Sequence, residues 1–89
     1  MWLVRLQMKL AKDILLRKVG EEAVILDLAS QRYFALDEVA ADMLSSLLET
    51  ETENDALEKL VLKYDAPKEA IRADLEEIRL ELLGQGIIG

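Results

Sequence analysis

The sequence predicts an α+β fold, a small antiparallel sheet followed by three helices packed on one of its faces. Three observations lead there. The first forty residues hold short apolar runs of strand length, parted by tight polar or glycine-containing turns. The rest holds three stretches in which apolar residues recur at spacings of three and four. No internal repeat, low-complexity run or linker interrupts that order, so residues 1–89 are expected to form a single domain.

Trp2, Val4, Leu6, Met8 and Leu10 alternate with Leu3, Arg5, Gln7 and Lys9, the period-two signature of a half-buried strand. Residues 1–10 are therefore expected to supply an extra strand or arm. Ile14 to Val19 forms the next apolar stretch, closed by a turn at Gly20-Glu21-Glu22. Val24, Leu26 and Leu28 share one face of the following strand, with Ile25 and Asp27 on the other. After a turn at Ala29-Ser30-Gln31, Phe34 and Leu36 point one way and Tyr33 and Ala35 the other. Consecutive hairpins make a meander whose last strand lies at a sheet edge. Such an edge is either protected or used to bind an extended peptide.

Asp37 is placed to cap a helix, with Glu38 at the positive end of its dipole. Val39, Ala40, Met43, Leu44, Leu47 and Leu48 form one wide apolar face of that helix. In the polar stretch that follows, Thr50 and Glu53 have capping-box spacing. The second helix carries a stripe of Leu57, Leu60, Val61 and Tyr64. Pro67 suits the first turn of a third helix, and Gly84 suits its end. Ile71, Leu75, Ile78 and Leu82 repeat at four, three and four along it, a core stripe. Leu80 and Leu83 fall off that stripe and Ile87-Ile88 follow the glycine. These residues either close the helix end against the sheet or form a second contact surface, which would allow a homodimer.

Composition removes several kinds of function. With no histidine and no cysteine, the chain has no thiol or histidine nucleophile system and lacks the usual nitrogen and sulfur ligands of zinc. Its four glycines make no phosphate-cradling loop. Carboxylates crowd the connection at Glu49, Glu51, Glu53 and Asp55 and recur at Asp74, Glu76, Glu77 and Glu81. They read as solvated faces, because no apolar cleft encloses them to perturb a pKa. No enzyme activity, cofactor or metal is expected. Net charge is −7, from 18 acidic and 11 basic residues. That balance opposes nucleic-acid binding and favours a basic or neutral partner, or serves solubility alone. No apolar run approaches the ~18 residues of a membrane span, and the N-terminus lacks a basic region followed by an apolar one. With no disulfide framework, a cytoplasmic location is expected.

The stretch from Ile14 to about Leu48 resembles the PqqD-like family of peptide-recognition domains, which serve pathways that modify ribosomally made peptides. The residues that carry the resemblance are Leu26-Asp27-Leu28, a four-residue gap to Tyr33-Phe34, then Leu36-Asp37-Glu38-Val39-Ala40. The likeness continues more loosely through both later helices. It implies a winged helix-turn-helix-like fold, a three-stranded antiparallel sheet followed by three helices. It implies no catalysis, and binding of a precursor's leader segment as an added strand beside the third strand, in the cleft facing the third helix. By this resemblance the peptide-binding positions are Gln31, Arg32, Tyr33, Phe34, Ala35 and Leu36 on the strand. On the helix they are Asp74, Leu75, Ile78, Arg79 and Leu82. The free-standing leader-binding protein of lasso-peptide biosynthesis is the form it is most like, which implies a separate leader peptidase and an ATP-dependent cyclase as partners. Alternatives are a PqqD-like chaperone for a radical enzyme, a winged-helix DNA-binding domain, and a dimerisation module. The segment Trp2 to Leu10 departs from the family pattern.

Overall fold

The computed structural model describes residues 9–89; of the extra strand or arm expected over residues 1–10, residues 1–8 lie outside the described residues. Three strands come first: β1 (Ile14–Val19), β2 (Glu22–Asp27) and β3 (Arg32–Leu36). Three helices follow: α1 (Glu38–Glu49), α2 (Glu53–Lys63) and α3 (Lys68–Gly84). The sheet is antiparallel in the order β1-β2-β3, as two successive hairpins require. Each hairpin is fixed by its turn. Val19 pairs with Glu22 across a two-residue loop in which Gly20 takes φ +65°, the left-handed conformation that a first-position glycine supplies. The second turn is organised by Asp27, whose Oδ1 accepts from the N–H groups of Ala29 (3.1 Å) and Ser30 (3.2 Å). The Ser30 side chain first, then these N–H groups, hold the Asp27 carboxyl below its ordinary value. Gln31 closes the turn at φ +61°, so β3 begins at Arg32 and Gln31 belongs to the turn.

Alternation then decides what is buried. Ile14, Ala23 and Ile25 are buried and Leu16, Phe34 and Leu36 half-buried on the face that meets the helices. The opposite face shows Leu15, Leu26 and Tyr33 in one cross-strand row. Lys9, Leu10 and Ala11 pair with the C-terminal tail, not with the sheet: Leu10 bridges Ile88, and Ala11 N–H donates to the Ile87 carbonyl (2.9 Å).

The helix termini show how the chain spends its polar side chains. Asp37 caps α1, its Oδ1 accepting from Ala40 N–H at 2.8 Å. The expected capping box at Thr50 and Glu53 does not form. Thr50 instead donates its hydroxyl to the Ser46 carbonyl (2.7 Å) at the end of α1, and Thr52 caps α2 by accepting from Asp55 N–H (3.1 Å). The end of α3 also differs from expectation. Gly84 remains helical, and the left-handed residue is Gly86 at φ +72°. Its N–H bonds to the Leu83 carbonyl (3.1 Å) and that of Ile87 to Leu82 (2.9 Å), a Schellman closure with Leu82 and Ile87 sharing one apolar cluster.

The interior divides into two clusters. One is helical, built on Met43, Leu47, Leu57, Leu60, Ile71 and Leu75. The other joins the sheet to the helices through Ile14, Ile25, Leu44, Leu82, Ile87 and Ile88. Leu83, Ile87 and Ile88 thus close the helix end, while Leu80 stays exposed. Val39, expected on the apolar face of α1, is exposed; that face turns through Ala41 and Leu44 because α1 packs on both the sheet and α2.

Candidate functional site

β3 pairs with β2 along one side, and among the described residues no strand occupies its other side. Five residues long, it places Tyr33 (73% exposed) and Ala35 on the open face of the sheet and Phe34 and Leu36 toward the helices. Helix α3 passes beneath that edge in the opposite sense. At one end Arg32 Nη1 donates to Gln85 Oε1 at 3.3 Å. At the other, Asp74, Ile78 and Glu81 share a groove of about 240 Å³ with Asp37, Ala40 and Met43. The Cα atoms of β3 and α3 stay more than 8 Å apart, so the two elements meet only through side chains. Phe34 and Leu36, with Ile78 and Leu82, form the apolar floor between them.

The eleven expected positions therefore divide. Arg32, Tyr33, Phe34, Ala35 and Leu36 form the open edge, and Gln31 stands at its entry. Asp74 and Ile78 line the groove, with Leu82 buried below. Leu75 is fully buried (0% exposed) in the helical cluster and has no surface toward the groove. Arg79 turns away from β3. Its Nη2 and Nε donate to Glu76 at 2.5 and 3.1 Å, beside Glu53 at the start of α2. That pairing holds the Glu76 carboxyl below its ordinary value, while burial and the neighbouring Glu76 push Glu53 up. Gln85, Asp37, Glu77 and Glu81 at the cleft were not among the expected residues.

Arg32 is the most engaged side chain of the edge. It bonds Ser30 Oγ (3.0 Å), lies 3.5 Å from Asp27 Oδ2 and sits over the Phe34 ring at 5.4 Å. The guanidinium thus covers one face of the ring. Among the described residues no group of His, Cys, Asp or Glu is arranged to hold a metal ion. Among the described residues none pairs with the outer main-chain groups of β3, which lie above an apolar floor, the chemistry of strand addition.

Residues 22–88 match the family described as coenzyme PQQ synthesis protein D (PqqD). The chain belongs to the PqqD family. No curated protein matches it. Two solved structures share the fold of this PqqD-family chain. TbiB1 in complex with the TbiA(beta) leader peptide superposes with a TM-score of 0.82 at 21% identity, over 90% of this chain and 93% of that one. Lasso peptide synthetase B1 complexed with the leader peptide gives 0.84 at 22% identity, over 93% and 98%. Both likenesses extend the sheet-then-helices architecture over nearly the whole PqqD-family chain.

Proposed function

We propose that this chain binds the leader segment of a ribosomally made precursor peptide as a strand added to β3, without turnover of its own. The observation that carries the reading is the β3 edge, which no strand pairs among the described residues, above the cleft floored by Phe34, Leu36 and Ile78. Main-chain pairing supplies affinity there, and the apolar floor receives alternate side chains of the peptide. The same fold in two proteins solved with leader peptides supports it. The bound leader is presented in the cytoplasm to a leader peptidase and an ATP-dependent cyclase of a lasso-peptide pathway. The family's description favours a second reading of the later step alone, in which a radical enzyme of the PQQ type receives the peptide.

Calorimetric titration with the leader of a short precursor encoded beside the gene tests the proposal. One-to-one binding is expected, with NMR shifts at the backbone amides of residues 31–35. Binding without shifts there would move the site to the helices, and turnover by the purified chain would overturn the non-catalytic reading.

A further inference from the structure

The two ends of the cleft differ in charge. A strand added antiparallel to β3, the pairing used throughout this sheet, enters beside Leu36 and leaves beside Arg32. Residues just N-terminal to the added segment are thereby delivered into the groove between α1 and α3. Its floor is apolar, from Ala40, Met43 and Ile78. Its walls carry four carboxylates, Asp37, Asp74, Glu77 and Glu81, and among the described residues no lysine or arginine lines it. Asp37 is occupied in capping α1, which also neutralises the positive end of that helix. Among the described residues, no lysine or arginine pairs with Asp74, Glu77 or Glu81. The exit instead holds the half-exposed Arg32 guanidinium, paired with Asp27.

We infer that the groove receives a lysine or arginine side chain from the flank immediately N-terminal to the strand-forming segment of the leader. The apolar floor accepts the aliphatic stem while the head reaches the carboxylates of α3. The inference rests on strand addition at β3 and adds to it a charge requirement and a direction. A leader laid in the reverse sense would bring its cationic flank against Arg32. Groove and edge are continuous, since Asp37 follows Leu36 directly, so one extended peptide occupies both.

The test uses the full chain and the shortest fragment of the neighbouring precursor's leader that binds it, extended at its N-terminus by Lys-Lys or by Glu-Glu. At low ionic strength the lysine form is expected to bind about tenfold tighter than the glutamate form. The gap should shrink to about twofold at ~0.5 M salt, where surface charges are screened. In the Glu77→Gln/Glu81→Gln variant it should shrink likewise, with circular dichroism and thermal unfolding unchanged. Equal affinity of the two forms for the parent chain, or a gap that survives in the variant, overturns the inference and leaves strand addition standing. If no leader fragment binds at all, strand addition falls and the inference falls with it.

Discussion

The sheet has two outer strands, and they are furnished differently. β1 carries Arg17 and Lys18 in its middle, both exposed, and charged side chains along an edge oppose pairing with another chain. β3 has a single cation, Arg32, at its first residue, bonded to its own turn and to Gln85. Beneath β3 runs the cleft of Phe34, Leu36 and Ile78. Two strands of similar length in one small sheet thus differ in what surrounds them, and in the proposed function those surroundings decide which edge accepts a peptide.

Proline substitution is the strongest way to break this comparison. Proline removes one donor and disturbs the backbone around it. At a β3 position whose N–H points away from β2, it is expected to weaken leader binding by about 100-fold or more while the helical circular dichroism signal survives. At an outward-pointing position of β1 it should leave affinity unchanged. Comparable losses from both strands would show that the edges are equivalent.

A second pair of substitutions separates cleft from core. Leu75→Ala should destabilise the fold by about 2–5 kcal/mol in chemical denaturation, because it opens a cavity in a fully buried cluster. Ile78→Ser should act on binding first, weakening it by about 2 kcal/mol in calorimetry as an anchor is lost from the cleft. If Ile78→Ser harmed folding and binding equally, Ile78 would be ordinary core.

Smaller effects sharpen the picture. Asp42 accepts from Lys63 at 2.6 Å and from the Tyr64 hydroxyl, and these partners hold its carboxyl below its ordinary 3.8. A carboxylate whose pKa falls on folding contributes stability above its ordinary value and loses it as the pH falls through the folded one. Thermal stability should therefore decline as the pH drops below 3.8, and Asp42→Asn should flatten that decline. Because this cluster joins α1 to α2, leader affinity at neutral pH should not change. Arg32→Ala is expected to weaken binding by only about threefold, as its ion pair is half exposed. Gln31→Gly should stabilise the fold slightly, by about 0.5 kcal/mol, since the left-handed backbone there is strained for any side chain.

Periodicity made the elements legible. Ile14–Val19 forms a strand over the same residues that the sequence reading assigned, and the stripe of α3 buries Ile71, Leu75 and Leu82 as spacing required. Which of several similar residues would cap a helix was not legible. Thr50 and Thr52 compete two residues apart, and the choice follows from Thr50's bond to α1. Gly84 and Gly86 compete likewise, and the winner lets Ile87 pack on Leu82. The edge strand could be read from order and length alone. The groove could not, because Asp37 and Glu81 meet only through the crossing of α3 past β3. Arg79 and Leu75 share α3 with Ile78, yet a rotation of one or three positions turns them toward α2 and the interior.

Ile78 is, among the described residues, the one that packs on both apolar clusters. A ligand held at that seam is coupled by mass action to the unfolding of both halves of the molecule. Saturation with leader should raise the midpoint of thermal unfolding. It should also slow amide hydrogen exchange in α2, an element that lines no part of the cleft, as well as in β3 and α3. Occupancy of the cleft would then be legible at the far side of the helical layer.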